Sequence, residues 1–196
     1  MNLNHRVVVI TGASSGIGEA TAHHAAAKGA RLVLAARRAD KLEALAQELG
    51  DGGTQALVVP TDVTDVGQVQ ALIDAAIEHY GQIDVLVNNA GFGIFESPLQ
   101  GDATNLKAMM EVNLYGAVHA MQAVLPHMLE RRQGQIVNVA SVAGLVTVSN
   151  MASYNASKFA LVGFSRSLQM SLDGSGVQCA IICPGPVRTP FLSRQT

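Results

Sequence analysis

Six short runs of aliphatic and β-branched residues alternate with longer helical stretches along the chain. The runs are RVVVIT (6–11), RLVLA (31–35), QALVVPT (55–61), IDVLVNN (83–89), QIVNVAS (135–141) and VQCAIICP (177–184). This alternation is typical of βαβ units that stack into a parallel sheet. Most of the runs are apolar on both faces, which indicates strands covered by helices on both sides. The pattern predicts one α/β domain of three layers (α/β/α).

Glycines and turn residues mark the helices between these runs. The first helix ends at Lys28 and Gly29, the second covers Asp40 to Leu49 before Gly50, the third covers Asp65 to Tyr80 before Gly81, and the last covers about 150–172. The interval of about 104–132 is long enough for two helices or for one long helix. No repeat or low-complexity linker interrupts the order.

The composition favours a single buried core and excludes several classes of partner. Of the 196 residues, 48% are hydrophobic and 14% are charged, which is sufficient for a large core. The net charge is −2 and no basic run is interleaved with aromatic residues, so we expect no nucleic-acid surface. No apolar segment approaches the ~20 residues that span a bilayer, so we expect no membrane partner.

The two cysteines predict a reducing environment. Cys179 and Cys183 fall in one predicted strand, where four residues span about 13 Å, too far for a disulfide between them. The early apolar run VVVI is too short for a signal peptide and runs into a glycine turn. Two unpaired thiols without a signal peptide predict a cytoplasmic protein.

A glycine-rich turn, TGASSGIGEA, follows the first predicted strand. Gly12, Gly16 and Gly18 would let the backbone approach a pyrophosphate, with Ser14, Ser15 and Ile17 between them. The N-terminus of the following helix would favour the anion. The alternative is a tight turn that needs positive φ. The position of the turn after the first strand of a βαβ series favours nucleotide binding.

The end of the second predicted strand indicates which nucleotide. An acidic residue at this place would select NAD by binding the adenosine ribose. The chain instead has Arg37 and Arg38, and Arg37 can meet a 2′-phosphate with a charge-assisted fork. The alternative is that both arginines only begin a solvated helix. The missing carboxylate favours NADP(H).

The sequence YNASK places a phenol and an ammonium on one face of the last helix. Tyr154 and Lys158 are four residues apart, so their side chains are neighbours. A cation close to a phenol favours the phenolate, so we expect Lys158 to lower the pKa of Tyr154 and to make it a general acid or base. Ser141, at the end of the fifth predicted strand, can hold a substrate oxygen; for Ser141 taken alone, a plain strand-end hydroxyl is the favoured interpretation.

With the glycine turn, NNAG at 88–91, Asn113, Ser141 and YNASK in this order, the chain resembles the short-chain dehydrogenase/reductase family. The resemblance implies a Rossmann-type doubly wound parallel sheet, an NAD(P) cofactor, carbonyl and alcohol redox chemistry, and a homodimer or homotetramer. It implies Asn113, Ser141, Tyr154 and Lys158 as catalytic residues, with Asn113 anchoring a water in a proton relay. The cofactor contacts that it implies are Asp62, Val63, Asn88, Ala90, Gly91, Tyr154, Lys158, Pro184, Gly185, Val187 and Thr189.

Residues that follow two strand ends are candidates for substrate contacts. Phe92, Ile94 and Phe95 follow NNAG, and Ala143, Gly144 and Leu145 follow Ser141. They predict a neutral or apolar small-molecule carbonyl or alcohol that also contacts Ser141 and Tyr154; simple loop packing is the alternative. The six histidines show no metal-ligand spacing, so no metal site is expected.

The chain differs from the family pattern after PGPVRTPFLSRQT, where members normally continue with a substrate loop, a helix and a seventh strand. The expectation for residues 1–196 is therefore one NADP-binding domain without that segment. A non-catalytic NADP-binding sensor or scaffold is the alternative to an oxidoreductase. An epimerase or dehydratase is disfavoured by the glycine spacing.

Overall fold

The structure is a computed structural model that describes residues 2–99 and 101–187. Strands and helices alternate through these residues: β1 (Val7–Thr11), α1 (Gly16–Ala26), β2 (Arg31–Ala36), α2 (Ala39–Asp51), β3 (Ala56–Pro60), α3 (Val66–Tyr80), β4 (Val85–Asn88), α4 (Ala103–Met110), α5 (Gly116–Glu130), β5 (Gly134–Val139), α6 (Ala152–Ser171) and β6 (Val177–Ile182). All six predicted strands are confirmed.

The strands form one parallel sheet in the order β3-β2-β1-β4-β5-β6. The chain moves outward from β1 to β3, returns to the other side of β1, and moves outward again from β4 to β6. This is the doubly wound, Rossmann-type order that the resemblance implies. The carboxyl ends of β1 and β4 lie side by side at the point of reversal, where the two loops that follow them diverge.

Two apolar layers cover the sheet because consecutive strand residues point to opposite faces. Val7 and Val9 of β1 belong to the core that α3, α5 and α6 cover. Val8 and Ile10 belong to the core that α1 and α2 cover. All four are nearly inaccessible to solvent. The predicted arrangement of three layers is therefore confirmed, and the apolar character of the strands on both faces follows from it.

The ends of the helices agree with the sequence at some places and differ at others. Asp65 caps α3 by accepting a hydrogen bond from Gln68 N at 3.0 Å, and Gly81 ends the helix with φ of +78°. By contrast, α2 does not end before Gly50 as predicted. It runs through Gly50 to Asp51, and Gly52 caps it by donating its N–H to Glu48 O and Gly50 O.

The interval left open between one helix and two is one continuous helical segment. The helices α4 and α5 are joined by a π-helical turn over Glu111–Tyr115. Gly116, directly after this turn, packs closely against Val63, since a Cβ on Gly116 would stand only 2.9 Å from Val63 Cβ. Such wide turns occur often at functional sites, and this one contains Asn113. Within the described residues, no helix combines the length and the apolar character needed to cross a membrane.

Candidate active site

A cavity of about 600 Å³ opens at the carboxyl edge of the sheet. Its size lies in the range of roughly 300–1,000 Å³ typical of small-molecule sites. Segments that follow all six strands form its walls, so the fold joins residues that are distant in sequence. Most of the predicted site residues line it, namely Gly12, Ser14, Ser15, Gly16, Ile17, Arg37, Arg38, Asp62, Val63, Ala90, Gly91, Phe92, Ser141, Ala143, Tyr154, Lys158, Pro184, Gly185 and Val187. Thr189 lies outside the described residues.

Asn88, which the sequence analysis assigned to the cofactor site, does not line the cavity, because its side chain lies in the core. Its Nδ2 donates to Asn138 Oδ1 at 2.9 Å and to Ala117 O at 3.3 Å. Asn138 in turn donates to Ser165 Oγ at 2.8 Å, so a buried polar chain joins β4 to β5 and α6. Asn88 is the last residue of β4 and points toward the helix layer that contains α5 and α6.

The neighbouring residue Asn89, the second asparagine of NNAG, lines the cavity. Its Nδ2 donates to Thr11 O and Gly12 O, each at 3.1 Å. Its backbone N–H donates to Thr11 Oγ1 at 3.1 Å. Asn89 therefore ties the loop after β4 to the loop after β1. The period-two alternation of strand side chains explains why Asn89 differs from Asn88, because only one of two consecutive asparagines can face this edge.

Gly18 and Leu145 also do not line the cavity. A Cβ on Gly18 would overlap the Gly12 carbonyl oxygen and stand 2.6 Å from Asn89 Nδ2. Gly18 therefore allows α1 to pack beneath the glycine loop. Leu145 is 45% exposed and lies outside the cavity. The wall predicted for Leu145 is formed instead by residues that the sequence analysis did not name, Val142, Val148 and Met151.

The glycine loop has the backbone that its sequence predicts. Gly12 and Gly16 have φ of +66° and +63°, a region that residues with a Cβ rarely occupy. Helix α1 begins at Gly16, and Gly16 and Ile17 line the cavity. Ser15 precedes the helix without a side-chain cap hydrogen bond. The first turn of α1 therefore brings backbone N–H groups, which favour an anion, to the cavity.

The two arginines after β2 reach this loop differently. The Arg38 guanidinium donates to Ser14 Oγ at 2.9 Å and to Ser15 Oγ at 3.1 Å. Arg37 is exposed and also lines the cavity. Among the described residues, no hydrogen bond or ion pair to the Arg37 side chain is found. Two positive charges therefore stand beside the glycine loop, and that of Arg37 is available to a ligand.

Tyr154 and Ser141 meet in the interior of the cavity. Ser141 lies two residues after β5 rather than in the strand, and its Oγ accepts a hydrogen bond from Ala143 N at 3.1 Å. Its hydroxyl is hydrogen-bonded to Tyr154, whose side chain is buried. Burial raises the pKa of Tyr154 above 10.0, and the hydrogen bond with Ser141 opposes part of this rise.

The expectation that Lys158 lowers the pKa of Tyr154 is wrong in this structure, because desolvation of the phenol outweighs the effect of nearby groups. The Lys158 ammonium lies 5.8 Å from the centroid of the Tyr154 ring and donates to Val139 O at 3.0 Å. The predicted placement of the two side chains as neighbours on α6 is confirmed. The predicted sign of the pKa shift is not.

Lys158 is buried beneath the loop that follows β4. It is 4% exposed, and burial lowers its pKa to about 8, an effect that the nearby Cys183 thiol partly opposes. A Cβ on Gly91 would approach to 3.5 Å from Lys158 Nζ. The loop at Gly91 therefore packs against the ammonium. A cation of this kind is mostly charged at neutral pH and can bind hydroxyl groups of a ligand.

Asn113 supports the cavity from behind rather than lining it. Its Nδ2 donates to Phe92 O and to Ser157 Oγ, and its Oδ1 accepts from Phe92 N, each at 2.9 Å. These bonds join the π-helical turn to the loop after β4 and to α6. The side chain is 1% exposed, so its amide holds the loop in place. Among the described residues, no group of three or more His, Cys, Asp or Glu side chains could hold a metal ion.

The sequence matches the family described as short chain dehydrogenase over residues 6–196. An uncharacterized oxidoreductase of Staphylococcus epidermidis is 38% identical over 189 residues, which are 96% of this chain and 81% of the relative. The human dehydrogenase/reductase SDR family member 7 is 40% identical over 192 residues, which are 95% of this chain and 57% of the relative.

Solved structures show the same fold. A short chain dehydrogenase/reductase from Burkholderia phymatum in complex with NAD has a TM-score of 0.95 at 38% identity, covering 98% of this chain and 70% of that one. An actinorhodin polyketide ketoreductase with NADPH has a TM-score of 0.92 at 37% identity, covering 95% and 72%. Together with the family match, these similarities show that the chain belongs to the short-chain dehydrogenase family of oxidoreductases.

Proposed function

We propose that this protein is an NADP(H)-dependent oxidoreductase that interconverts a carbonyl and an alcohol, with Tyr154 as general acid and base. The observation that carries the proposal is the hydrogen-bonded pair of Tyr154 and Ser141 in the cavity wall, with the Lys158 ammonium beside it. A carbonyl reduction requires a proton donor beside the forming alkoxide, and this pair offers one.

The residues of the cavity fit a dinucleotide. Gly12 and Gly16 have positive φ and no side chain, so the backbone of the loop is open to a ligand. The N-terminus of α1 would face the pyrophosphate. Asp62 and Val63 line the cavity and would hold the adenine, and Pro184 and Gly185 line it and would contact the nicotinamide. The bound cofactor would supply or accept the hydride.

The remaining groups would act on the substrate oxygen. The Ser141 hydroxyl and the Tyr154 phenol would hold it by hydrogen bonds, and Tyr154 would donate its proton as negative charge develops. Because burial raises the pKa of Tyr154, the phenol keeps its proton at neutral pH in the ligand-free protein. This state suits carbonyl reduction. Lys158 would bind the ribose hydroxyls of the cofactor, and Asn113 would keep the loop above Lys158 in place.

The part of the cavity beside Tyr154 favours a neutral substrate. Phe92, Phe95, Val148 and Met151 line the cavity, and among the described lining residues that follow β4, β5 and β6 no side chain other than that of Lys158 is charged. An apolar wall with few polar groups is typical of sites for small uncharged ligands. We therefore propose ketones, aldehydes or secondary alcohols without charged groups as substrates.

A panel assay tests the proposed function. NADPH consumption is followed by absorbance with neutral ketones, aldehydes and diketones, and NADPH affinity is measured separately by fluorescence. We expect turnover of at least one neutral carbonyl and little turnover of charged analogues. Protein that binds NADPH with no turnover across the panel would contradict the oxidoreductase proposal and would favour a nucleotide-binding sensor or scaffold.

The cofactor preference is tested by Arg37→Asp. We expect NADPH to bind about 10–100-fold more weakly, because a charge-assisted contact of ~1.5–3 kcal/mol is lost and a like charge faces the 2′-phosphate. NADH, which lacks this phosphate, should bind as before. The solved relatives include complexes with NAD and with NADPH, so the family alone does not decide the preference.

The matched control is Arg166→Asp, which makes the same charge change on an exposed residue of α6 away from the cavity. Its Kd for both nucleotides should equal that of the wild type. An unchanged ratio of NADPH to NADH affinity in Arg37→Asp would show that Arg37 does not read the 2′-phosphate.

A cytoplasmic location and a homodimeric or homotetrameric state belong to the same proposal. The two free thiols, Cys179 and Cys183, support a reducing location. Exposed large side chains support association of two or more copies of the chain through the face that carries α6 and the π-helical turn. These side chains are Tyr115, Phe159 and Phe164.

A further inference from the structure

Glu96 lies in the segment after β4 and joins this segment to α4 and to the start of α6. Its Oε2 accepts a hydrogen bond from Asn105 Nδ2 at 2.8 Å, and its Oε1 accepts one from Ser153 Oγ at 3.1 Å. Its backbone N–H donates to Asn150 O at 2.9 Å, and Glu96 pairs with Met151 as an isolated parallel bridge. The carboxylate therefore connects α4 to α6, and the backbone connects the same segment to the residues just before α6.

The first turn of α6 needs this support. Met151, the residue before the helix, makes no side-chain cap hydrogen bond. The first N–H groups of a helix have no partner within it, and an uncapped end frays. Tyr154 is the third residue of α6, directly after Ser153. Glu96 binds the Ser153 hydroxyl and brings a negative charge to this end of the helix, which its dipole favours.

The contact of Glu96 with α4 supports the same phenol ring from another side. Asn105 is on α4, one turn before Met109, which is fully buried. Met109, Ala143, Met151 and Tyr154 form a small apolar cluster separate from the two main cores. The position of α4 therefore determines how this cluster packs against the Tyr154 ring.

We infer that Glu96 is a positioning residue: its two side-chain hydrogen bonds hold α4 and the first turn of α6 together, and so hold the Tyr154 hydroxyl beside Ser141. The importance of that placement for turnover rests on the proposed function, whereas the ordering of the helix turn does not. A shift of about 1 Å in a reacting group can cost about 10²-fold in rate. Glu96 does not line the cavity, so it acts through Tyr154 rather than on the ligand.

The test compares Glu96→Ala with Glu96→Gln. Alanine removes both side-chain bonds but keeps the backbone bond to Asn150, so the segment should stay folded. Glutamine can accept from Asn105 with its oxygen and donate to Ser153 Oγ with its amide. We expect kcat to fall about 10–100-fold in Glu96→Ala and to stay within about threefold of the wild type in Glu96→Gln. The Kd for NADPH should change by less than about threefold in both, because the nucleotide loop is untouched.

Hydrogen exchange gives a readout that does not depend on turnover. Amides 155–158, whose N–H groups bond to the carbonyls of residues 151–154 at the start of α6, should exchange about tenfold faster or more in Glu96→Ala, while those of α1 and the sheet stay protected. Ser153→Ala removes only one of the two bonds and should give an intermediate effect. The control is Glu78→Ala, which removes an exposed carboxylate on α3 and should change neither exchange nor kcat.

Three results would overturn the inference. Unchanged exchange at 155–158 in Glu96→Ala would show that Glu96 does not order the turn, whether or not the enzyme is active. Faster exchange with an unchanged kcat would show that the ordering does not position Tyr154. Failure of Glu96→Gln to restore kcat would show that the hydrogen bonds are not the cause. A wild type inactive on every carbonyl would instead refute the proposed function, with the exchange data still deciding the role of Glu96 in the turn.

Discussion

Replacing Tyr154 with phenylalanine is expected to lower kcat for carbonyl reduction by about 10²–10⁴-fold, the usual contribution of a positioned general acid. The substitution removes the phenol hydroxyl that Ser141 binds and leaves the ring. That ring packs with Met109, Ala143 and Met151, and phenylalanine can make the same apolar contacts. The loss should therefore be in chemistry and not in folding. Steady-state NADPH consumption measures it.

The nucleotide affinity of this variant distinguishes a chemical role from a structural one. The Kd for NADPH should stay within a few fold of the wild type, because the loop at Gly12 and Gly16 and the Lys158 ammonium are unchanged. The control is Tyr115→Phe, which likewise removes a phenol hydroxyl, here from a side chain that is 46% exposed. A kcat of Tyr154→Phe within tenfold of the wild type, or a parallel loss of NADPH affinity, would refute the role assigned to Tyr154.

The second large effect is expected for Asp84→Ala, on stability. Asp84 precedes β4, at the end of the sheet opposite the cavity, and is 1% exposed. Its Oδ2 accepts from Val7 N and Gln82 Nε2, each at 2.9 Å, and its Oδ1 accepts from Arg6 and Arg131 at 2.9 Å and 3.4 Å. Removing one partner of a buried ion pair costs ~3–5 kcal/mol, and the lower end of this range applies here because Arg6 and Arg131 are partly exposed. We expect the free energy of unfolding in urea at pH 7 to fall by about this amount.

The pH dependence of stability gives a second measure of the same group. Burial alone would raise the pKa of Asp84, but the hydrogen bonds from Val7 N, Arg6, Gln82 and Arg131 together hold it below its ordinary value of 3.8. A carboxyl whose pKa is lower in the folded state stabilises the protein above the unfolded pKa. This stabilisation is lost as the pH falls through the folded pKa. Below about pH 4 the wild type should therefore lose stability toward that of Asp84→Ala.

Asp74→Ala is the matched control for this prediction. Asp74 is an exposed carboxylate on α3 whose Oδ1 accepts one hydrogen bond from Gln70 at 2.9 Å. Its removal should change the unfolding free energy by less than about 0.5 kcal/mol. An equally small change in the unfolding free energy for Asp84→Ala would show that the contacts of Asp84 with Arg6 and Arg131 do not stabilise the fold.

The architecture could be predicted because its signals are local. Each strand is a short apolar run, and each turn contains a glycine or a polar cap, so neighbouring residues determine the element. Asp65 and Gly81 bound the third helix as their residue types indicate. The errors are confined to ends, as at Gly50, which lies inside α2 although its residue type indicates a helix end.

The candidate site was predicted in part, and its errors share one cause. The glycine loop, Ser141, Tyr154 and Lys158 meet at one edge because parallel strands bring their carboxyl ends together. Asn88 was assigned to the cavity but its side chain faces the core, since the face that each of the two asparagines presents depends on where β4 ends. The contacts that decide this, to Ala117 and Asn138, come from residues 29 and 50 positions away.

Local pattern and motif order thus determined the doubly wound sheet, the place of the nucleotide loop and the shared helix face of Tyr154 and Lys158, because these depend on residues close together in the chain. Tertiary structure alone decided the contact of Arg38 with Ser14 and Ser15, the bonds of Glu96 to two helices, and the raised pKa of Tyr154. Each of these depends on distances between segments and on how much water burial removes, and neither quantity is encoded in the spacing of residues along the chain.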